Sequence, residues 1–324
     1  MDELLRVEDL HTHFVSKHLT IRAVNGANLT VGRENVVALV GESGAGKTTV
    51  ALSVMGILPS GGKVVQGRVF FKGVNLLDLP AEERRKVRGK EIALIVQHPR
   101  AALSPINTIR KQIEEGILAH EALPPKELRE RSEQLLREMD LPDPRRVLDS
   151  YPFQLSGGMA QRVVIAIAMA LRPKVLIADE PTSDLDLTIQ AQILSRLKQL
   201  TREHATSILL ITHNLGIVAH MANYVVVMYA GWTAEQGPVK AIFDRPRFPY
   251  TWSLVQTFSG IYGSARRLMQ LKEVPVDPIA PQVHCPFLPR CPKAINTCRL
   301  EAKPPLVEIE PQHWVACYNP IVYD

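Results

Sequence analysis

One short segment has the residue types and spacing of a phosphate-binding loop. Residues 41–48, GESGAGKT, fit G-x-x-x-x-G-K-[ST], follow the apolar run VVALV and precede the helix-forming run TTVALSVMGIL. Glycines let successive backbone N–H groups converge on phosphate oxygens, and the positive end of the following helix strengthens the attraction. The predicted nucleotide contacts are Gly41, Glu42, Ser43, Gly44, Ala45, Gly46, Lys47, Thr48 and Thr49.

Two side chains of this loop have distinct expected tasks. Lys47 is expected to reach the outer phosphates of a nucleoside triphosphate. Thr48 is expected to place its hydroxyl on Mg²⁺, a hard cation that takes oxygen ligands.

A pair of carboxylates ends the apolar run VLIADE at residues 175–180. Open parallel sheets bind ligands at their strand ends, so Asp179 is expected to hold Mg²⁺ and Glu180 to orient or deprotonate the attacking water. An exposed turn or a helix cap is the alternative for such a pair taken alone.

His213 follows another apolar run, SILLIT. There an imidazole could hydrogen-bond the γ-phosphate and sense its loss, although a lone histidine after a strand is more often a packing or capping residue.

The elements that position these residues alternate along the chain. Short β-branched runs at residues 36–40, 91–96, 175–178, 207–212 and 224–228 are separated by helical stretches, which predicts an α/β fold with a mainly parallel sheet. Residues 97–156 read as a helical insertion. After about Tyr250 proline becomes frequent, which predicts a loop-rich carboxy-terminal module.

Composition and charge argue against a membrane-spanning segment, an export signal and a nucleic-acid-binding surface. The longest apolar run, Val163 to Leu171, is nine residues, whereas a bilayer-spanning helix needs roughly 20. The start of the chain lacks a basic stretch followed by an apolar run, so no export signal is expected. The net charge of +5 is small and dispersed, which gives nucleic-acid binding little support.

A further motif, Leu155-Ser-Gly-Gly-Met159, resembles the signature of ABC transporter ATPases, and the motifs above follow that family's order. The resemblance implies a P-loop (RecA-like) ATPase core at residues 1–250. It also implies a helical subdomain at about 98–158 and a small cysteine-containing extension at 251–324. ATP and Mg²⁺ are the implied ligands.

The resemblance also implies further site residues. Gln97 would be the Q-loop glutamine, linking the nucleotide and its Mg²⁺ to the helical insertion, and Asp186 would belong to the D-loop, residues 183–186. Phe14 is the candidate for stacking on adenine, although it could equally be a packed strand residue. The residues expected to contact ATP held by a second subunit are Leu155, Ser156, Gly157, Gly158 and Met159.

The importer branch that takes up oligopeptides and dipeptides gives the strongest resemblance. It rests on DEPTSDLDLTIQAQIL, FDRPRFPYTWSLV and the cysteine-rich tail. Asp184, where that branch usually has a small residue, and Asn214, where an acid is common, depart from the pattern and put partner geometry or rate in doubt. Nickel chelates, glutathione or oligosaccharides remain alternative solutes. A soluble ABC ATPase acting on nucleic acid or ribosomes is the rival class.

The resemblance implies an assembly at the cytoplasmic face of the membrane. Its expected members are a second ATPase, commonly a paralogue in this branch, two transmembrane permeases and, indirectly, an extracytoplasmic solute-binding protein.

All four cysteines lie near the end of the chain, at Cys285, Cys291, Cys298 and Cys317. Thiols stay reduced in the cytosol, so a disulfide framework is disfavoured. Structural zinc sites usually show closely spaced cysteine pairs, which are missing here. The tail resembles those of peptide-importer ATPases that carry a [4Fe–4S] cluster, so a cluster is expected, with zinc or free thiols as alternatives.

Overall fold

The computed structural model describes residues 2–183, 185–262, 277–280 and 282–323. The strands within these ranges are β1 Glu3–Val15, β2 Thr20–Gly32, β3 Val36–Val40, β4 Gly62–Phe71, β5 Val74–Asn75, β6 Ile92–Ile95, β7 Val175–Asp179, β8 Ser207–Ile211, β9 Tyr224–Tyr229, β10 Trp232–Pro238, β11 Val307–Glu310 and β12 His313–Val315. The α-helices are α1 Lys47–Met55, α2 Ala81–Val87, α3 Pro99–Ala102, α4 Ile109–Leu118, α5 Pro125–Glu138, α6 Pro144–Asp149, α7 Gly157–Met169, α8 Leu187–Glu203, α9 Leu215–Met221, α10 Val239–Asp244, α11 Pro249–Tyr262 and α12 Thr297–Leu300. In the part of the chain that is described, no helix is both long and apolar enough to span a bilayer.

The chain divides into two compact units. Unit 1 consists mainly of Asp78–Leu210, with Gly32–Glu34 and the start of the chain. Unit 2 consists of Glu3–Val31, Asn35–Leu77 and Ile211–Asp324. Each unit consists of separated stretches of sequence, so the division into units does not coincide with the domain boundary predicted at residue 250. That boundary stays a prediction.

Unit 2 is built on a sheet that carries the phosphate loop at the end of a buried strand. Every residue of β3 is buried, and β3 runs parallel to β9 with Leu39 opposite Val226. On the far side of β9, β10 pairs antiparallel, followed by β12 and β11. A separate antiparallel sheet has the order β2-β1-β4-β5.

Unit 1 combines parallel strands with the predicted helical insertion. β6 pairs parallel with β7, placing Leu94 opposite Ile177. In α4 the residues Ile109, Ile113 and Ile117 recur every four positions and are fully buried, which is the pattern of a helix with one apolar face. Helices α3 to α6 occupy most of residues 97–156, as the sequence predicts.

In its described residues the carboxy-terminal region is loop-rich, as the proline content predicts, with a helix at its start. Helix α11 runs from Pro249 to Tyr262. Pro249 is compatible with this helix because it occupies the first helical position, where its missing N–H has no partner to lose. Further on, Ala316 N donates to Ala234 O at 2.9 Å, and β12 extends the sheet of unit 2. The tail is thus part of unit 2 and not only a set of loops.

Candidate functional site

The phosphate loop in unit 2 has a backbone that only glycine can follow at two points. A Cβ on Gly41 would lie 2.3 Å from Met228 O, and one on Gly46 would lie 2.4 Å from Ala23 O. Gly46 also has a left-handed φ of 92°. These close approaches hold the loop tightly against neighbouring backbone at the start of α1.

Lys47 is the first residue of α1 and is 9% exposed. Its Nζ donates to Gly41 O at 2.8 Å and to Glu42 O at 2.9 Å, so the ammonium group is held against the loop. Thr48 and Ser43 are exposed, and their hydroxyls are open to a ligand. Loop, lysine and helix start therefore come together as predicted from the sequence.

Glu42, in the loop, has contacts that sequence reasoning missed. Its backbone N donates to Tyr250 Oη at 2.9 Å, and its carboxylate accepts two hydrogen bonds from Arg290, at 2.9 and 3.1 Å. Burial, with the nearby Glu42 carboxylate, raises the pKa of Tyr250 above its ordinary value, so its hydroxyl stays protonated. Both partners lie more than 200 residues from Glu42 along the chain, so local sequence patterns do not indicate these contacts.

His213 lies in unit 2, directly after Thr212, whose backbone bonds to β3, the strand before the phosphate loop. Thr212 N donates to Leu39 O at 3.2 Å, two residues before Gly41. The His213 side chain is exposed. Asn214 caps α9 by accepting hydrogen bonds from Gly216 N and Ile217 N, a task that an acid could also perform.

Phe14 is half-buried on β1 and lies opposite Gly62 of β4. A Cβ on Gly62 would be 2.9 Å from Phe14 Cε1, so the ring packs directly over this glycine. Stacking of Phe14 on adenine stays a prediction.

The carboxylate pair lies in unit 1 at the end of β7. Asp179 is the last residue of the strand and 3% exposed, and Glu180 is half-buried with a left-handed φ of 46°. Nine other non-glycine residues of the described chain also have a left-handed φ. The carboxylate oxygens of Asp179 are hard donors of the kind that Mg²⁺ prefers.

The signature segment is a capped helix start. Ser156 Oγ accepts a hydrogen bond from Met159 N at 3.3 Å, and α7 begins at Gly157. Leu155 is 3% exposed, and its carbonyl accepts from Arg100 Nη2 at 3.1 Å. The buried leucine therefore anchors an exposed serine at the positive end of a helix.

A cavity of about 390 Å³ in unit 1 brings several predicted residues together; its lining includes Gln97, Arg100, Gly157, Gln161, Ser183 and Leu185. Asp186 lies beyond this lining and caps α8 by accepting from Ile189 N at 3.0 Å. Asp184 lies outside the described residues. The Q-loop, signature and D-loop segments thus face one space.

The four cysteines are free thiols, with Cys298 buried and the others half-buried. Burial raises the pKa of Cys285 to about 11 and that of Cys317 to about 12, and the neighbouring thiols add to both shifts. Among the described residues, no three His, Cys, Asp or Glu side chains form a group that could hold a metal ion. The geometry of the described residues therefore gives the expected [4Fe–4S] cluster no support, and the cluster stays a prediction.

Comparison with known sequences gives two family matches. Residues 24–183 match the model described as ABC transporter, and residues 234–298 match the model described as Oligopeptide/dipeptide transporter, C-terminal region. The chain is 44% identical to the probable peptide ABC transporter ATP-binding protein y4tR of Sinorhizobium fredii, covering 98% of this chain and 95% of that protein. It is 41% identical to the dipeptide transport ATP-binding protein DppD of Escherichia coli K12, covering 98% and 97%.

Among solved structures, the fold is similar to the dimeric post-hydrolysis state of the ATP-binding cassette MJ0796 bound to ADP and Pi. The TM-score is 0.65 with 26% sequence identity, covering 72% of this chain and 98% of that one. CbiO1 of Clostridium perfringens, part of an ABC transporter complex, gives a TM-score of 0.63 with 30% identity, covering 76% and 92%.

Proposed function

This chain belongs to the ATP-binding proteins of ABC transporters, in their oligopeptide and dipeptide family, and we propose from that premise which of its residues bind and split ATP. It is an ATPase whose hydrolysis of ATP is coupled to import. The observation that carries the residue assignment is the glycine-restricted loop with Lys47 folded onto it at the start of α1.

The triphosphate binds at residues 41–49. Backbone N–H groups of the loop and the positive end of α1 attract the phosphates, and Lys47 exchanges its carbonyl contacts for the outer phosphate oxygens. Thr48, Asp179 and Gln97 would hold Mg²⁺, which when bound neutralises charge that develops on the phosphates. Phe14 is the candidate adenine contact.

Glu180 directs water at the γ-phosphorus, and His213 contacts the γ-phosphate and registers its departure. The position of Glu180 directly after the buried strand β7 supports its role, since parallel sheets bind ligands at their strand ends. The exposure of His213 at the end of a buried strand is compatible with contact to a ligand.

The signature segment serves the ATP of a second ATPase subunit. Ser156, Gly157 and Gly158 present a helix amino terminus, which attracts phosphate, and Leu155, Met159 and Asp186 support that surface. The dimeric state of the related cassette MJ0796 supports such pairing. The partner proposed here is a paralogous chain, so the working unit is a heterodimer.

The ATPase pair acts on two permease subunits at the cytoplasmic face of the membrane, with a solute-binding protein delivering peptides from outside. The names of the relatives, which refer to peptide, oligopeptide and dipeptide transport, support this substrate class. Gln97 and the helices of residues 98–158 pass the closing motion to the permeases, within a cassette at 1–250. Residues 251–324 form the family-specific extension.

The iron–sulfur cluster stays a prediction for the extension. Its support is the confinement of all four cysteines to residues 285–317. Iron and acid-labile sulfide analysis of anaerobically purified protein tests it, and neither element at stoichiometric level would reject it.

The proposed roles are tested by measuring MgATP binding and hydrolysis in the assembled transporter. Glu180→Gln is expected to bind MgATP and nearly abolish hydrolysis, whereas Lys47→Ala is expected to lose binding. Glu127→Gln and Lys126→Ala, at exposed positions of α5, make the same chemical changes away from the site and serve as controls. Normal hydrolysis in the Glu180→Gln protein would remove Glu180 from its role.

A further inference from the structure

A salt bridge joins the carboxy-terminal tail to the phosphate loop. Arg290 Nη1 and Nη2 donate to the two carboxylate oxygens of Glu42, at 2.9 and 3.1 Å, across 248 positions of sequence. Arg290 Nη1 also donates to Tyr229 Oη at 3.2 Å. A bidentate pair of this kind fixes the orientation of the guanidinium relative to the carboxylate and also pairs their charges, whereas a single hydrogen bond leaves the orientation free.

The arginine is held from behind by buried aromatic rings. Its guanidinium lies 5.7 Å from the ring centre of Tyr229 and 5.8 Å from that of Phe287. Tyr229, Tyr250 and Phe287 have centroids 4.9 to 5.8 Å from one another and are almost fully buried. Because the Arg290 side chain is only 12% exposed, the rings restrict it to the direction of Glu42.

Glu42 is an unfavourable residue at a site for polyanions. Its carboxylate belongs to the segment that binds the triphosphate, and a negative charge there repels phosphate unless it is compensated. The side chain is 46% exposed, so solvent screens part of its charge. The guanidinium of Arg290 supplies the compensating positive charge, while Tyr250 Oη accepts from the Glu42 backbone N–H.

We propose that Arg290 is a positioning residue for nucleotide binding, which neutralises and fixes Glu42 so that the tail sets the affinity of the phosphate loop for MgATP. This inference rests on the proposed function of residues 41–48. It gives the tail a role in nucleotide affinity, which is not assigned to any of the site residues predicted from the sequence.

The turn that carries Arg290 lies between two cysteines. Leu288 N donates to Cys285 O at 3.0 Å, and Cys291 N donates to Leu288 O at 3.3 Å. The placement of Arg290 therefore depends on the local fold of the tail, and the Arg290 side chain connects this turn to the loop.

The experiment measures MgATP dissociation constants of the purified full-length chain by calorimetry. Arg290→Gln leaves Glu42 uncompensated and is expected to weaken MgATP binding about tenfold, with a smaller loss at high salt. Glu42→Gln leaves Arg290 uncompensated and is expected to tighten binding. The double variant restores the wild-type balance of charge and is expected to return the dissociation constant to near its wild-type value.

If the Arg290–Glu42 pair only holds the tail in place and does not affect the charge at the loop, a different pattern of dissociation constants is expected. In that case Glu42→Gln weakens binding, and the double variant binds no better than Arg290→Gln; either result would overturn the proposal. Arg245→Gln removes another tail ion pair, with Glu310 at 3.1 Å, and controls for loosening of the tail. If Arg290→Gln does not fold, the direction of the Glu42→Gln change still decides.

Steady-state kinetics of the assembled transporter give an independent reading. The KM for ATP is expected to rise in Arg290→Gln while the kcat stays within about twofold, because the charge acts on binding and not on bond cleavage. Wild-type protein that fails to bind MgATP would refute the proposed function itself. Wild-type binding together with unchanged affinity in Arg290→Gln would refute only the role of Arg290.

Discussion

Nε2 of His313 lies 2.7 Å from Oε1 of Glu235, and both side chains are at most 1% exposed. The pair joins β12 of the tail to β10 of the sheet. The Glu235 carboxylate also accepts hydrogen bonds from Arg247 N at 2.6 Å and Phe248 N at 2.9 Å. A fully buried carboxylate thus organises the junction between the cassette sheet and the tail.

Glu235→Gln is expected to lower the free energy of unfolding by about 3 kcal/mol. An amide has a single acceptor oxygen, so its NH₂ group must face either the backbone N–H of Phe248 or that of Arg247 together with His313. Urea denaturation followed by circular dichroism measures the change. Glu310→Gln removes a partly exposed carboxylate from the tail and is expected to cost less than about 1 kcal/mol. Equal losses in the two variants would contradict the buried pair's special contribution.

Ser156→Ala separates helix capping from nucleotide contact. Ser156 caps α7 and Thr108 caps α4, with side-chain oxygens 3.3 and 3.4 Å from the backbone N–H donors. Loss of either cap is expected to reduce the free energy of unfolding by about 1 kcal/mol. ATP hydrolysis by the assembled dimer is expected to fall strongly in Ser156→Ala and to remain in Thr108→Ala. Similar activities in the two variants would limit Ser156 to a capping role.

Local sequence patterns predicted the strands and the phosphate loop because those features depend on neighbouring residues. The runs VVALV and VLIAD are buried throughout, and a glycine-rich loop followed by a helix has few alternatives. Contacts between distant positions have no such signature. The pairing of Ala316 with Ala234 and of Arg290 with Glu42 depends on how the chain returns to the sheet, which periodicity does not encode.

The tail shows how far composition can predict structure. Proline frequency after Tyr250 predicts a loop-rich region, which the short elements within residues 282–323 confirm, but it does not predict the helix that Pro249 opens and that continues to Tyr262. Proline disrupts a helix interior but not its first turn, so position within the element decides its effect. The metal centre predicted from the four clustered cysteines stays a prediction, because the described side chains form no metal-binding group.

Gly41→Ala is expected to abolish MgATP binding and to destabilise unit 2 by at least about 2 kcal/mol. The added Cβ would lie 2.3 Å from Met228 O, so either the loop or β9 must move. Gly116→Ala is the matched control, because no atom lies within 4 Å of its added Cβ and it is inside α4. That variant is expected to gain about 0.5–1 kcal/mol and keep full binding. Thermal denaturation and calorimetry measure both effects, and tight binding by Gly41→Ala would contradict the close approach.

Slow alkylation is expected at Cys285 and Cys317 in iron- and zinc-free protein. Burial raises the pKa of Cys285 from 9.0 to about 11, which lowers its thiolate fraction at pH 8 about a hundredfold. The rate with iodoacetamide should rise about tenfold per pH unit until the thiol ionises. Since the pKa is raised in the folded state, the stability that this thiol contributes is complete below pH 9 and is lost as the pH rises through about 11. Mass spectrometry of folded and urea-unfolded protein gives the rate ratio, and equal rates in the two states would show that these thiols are not shielded.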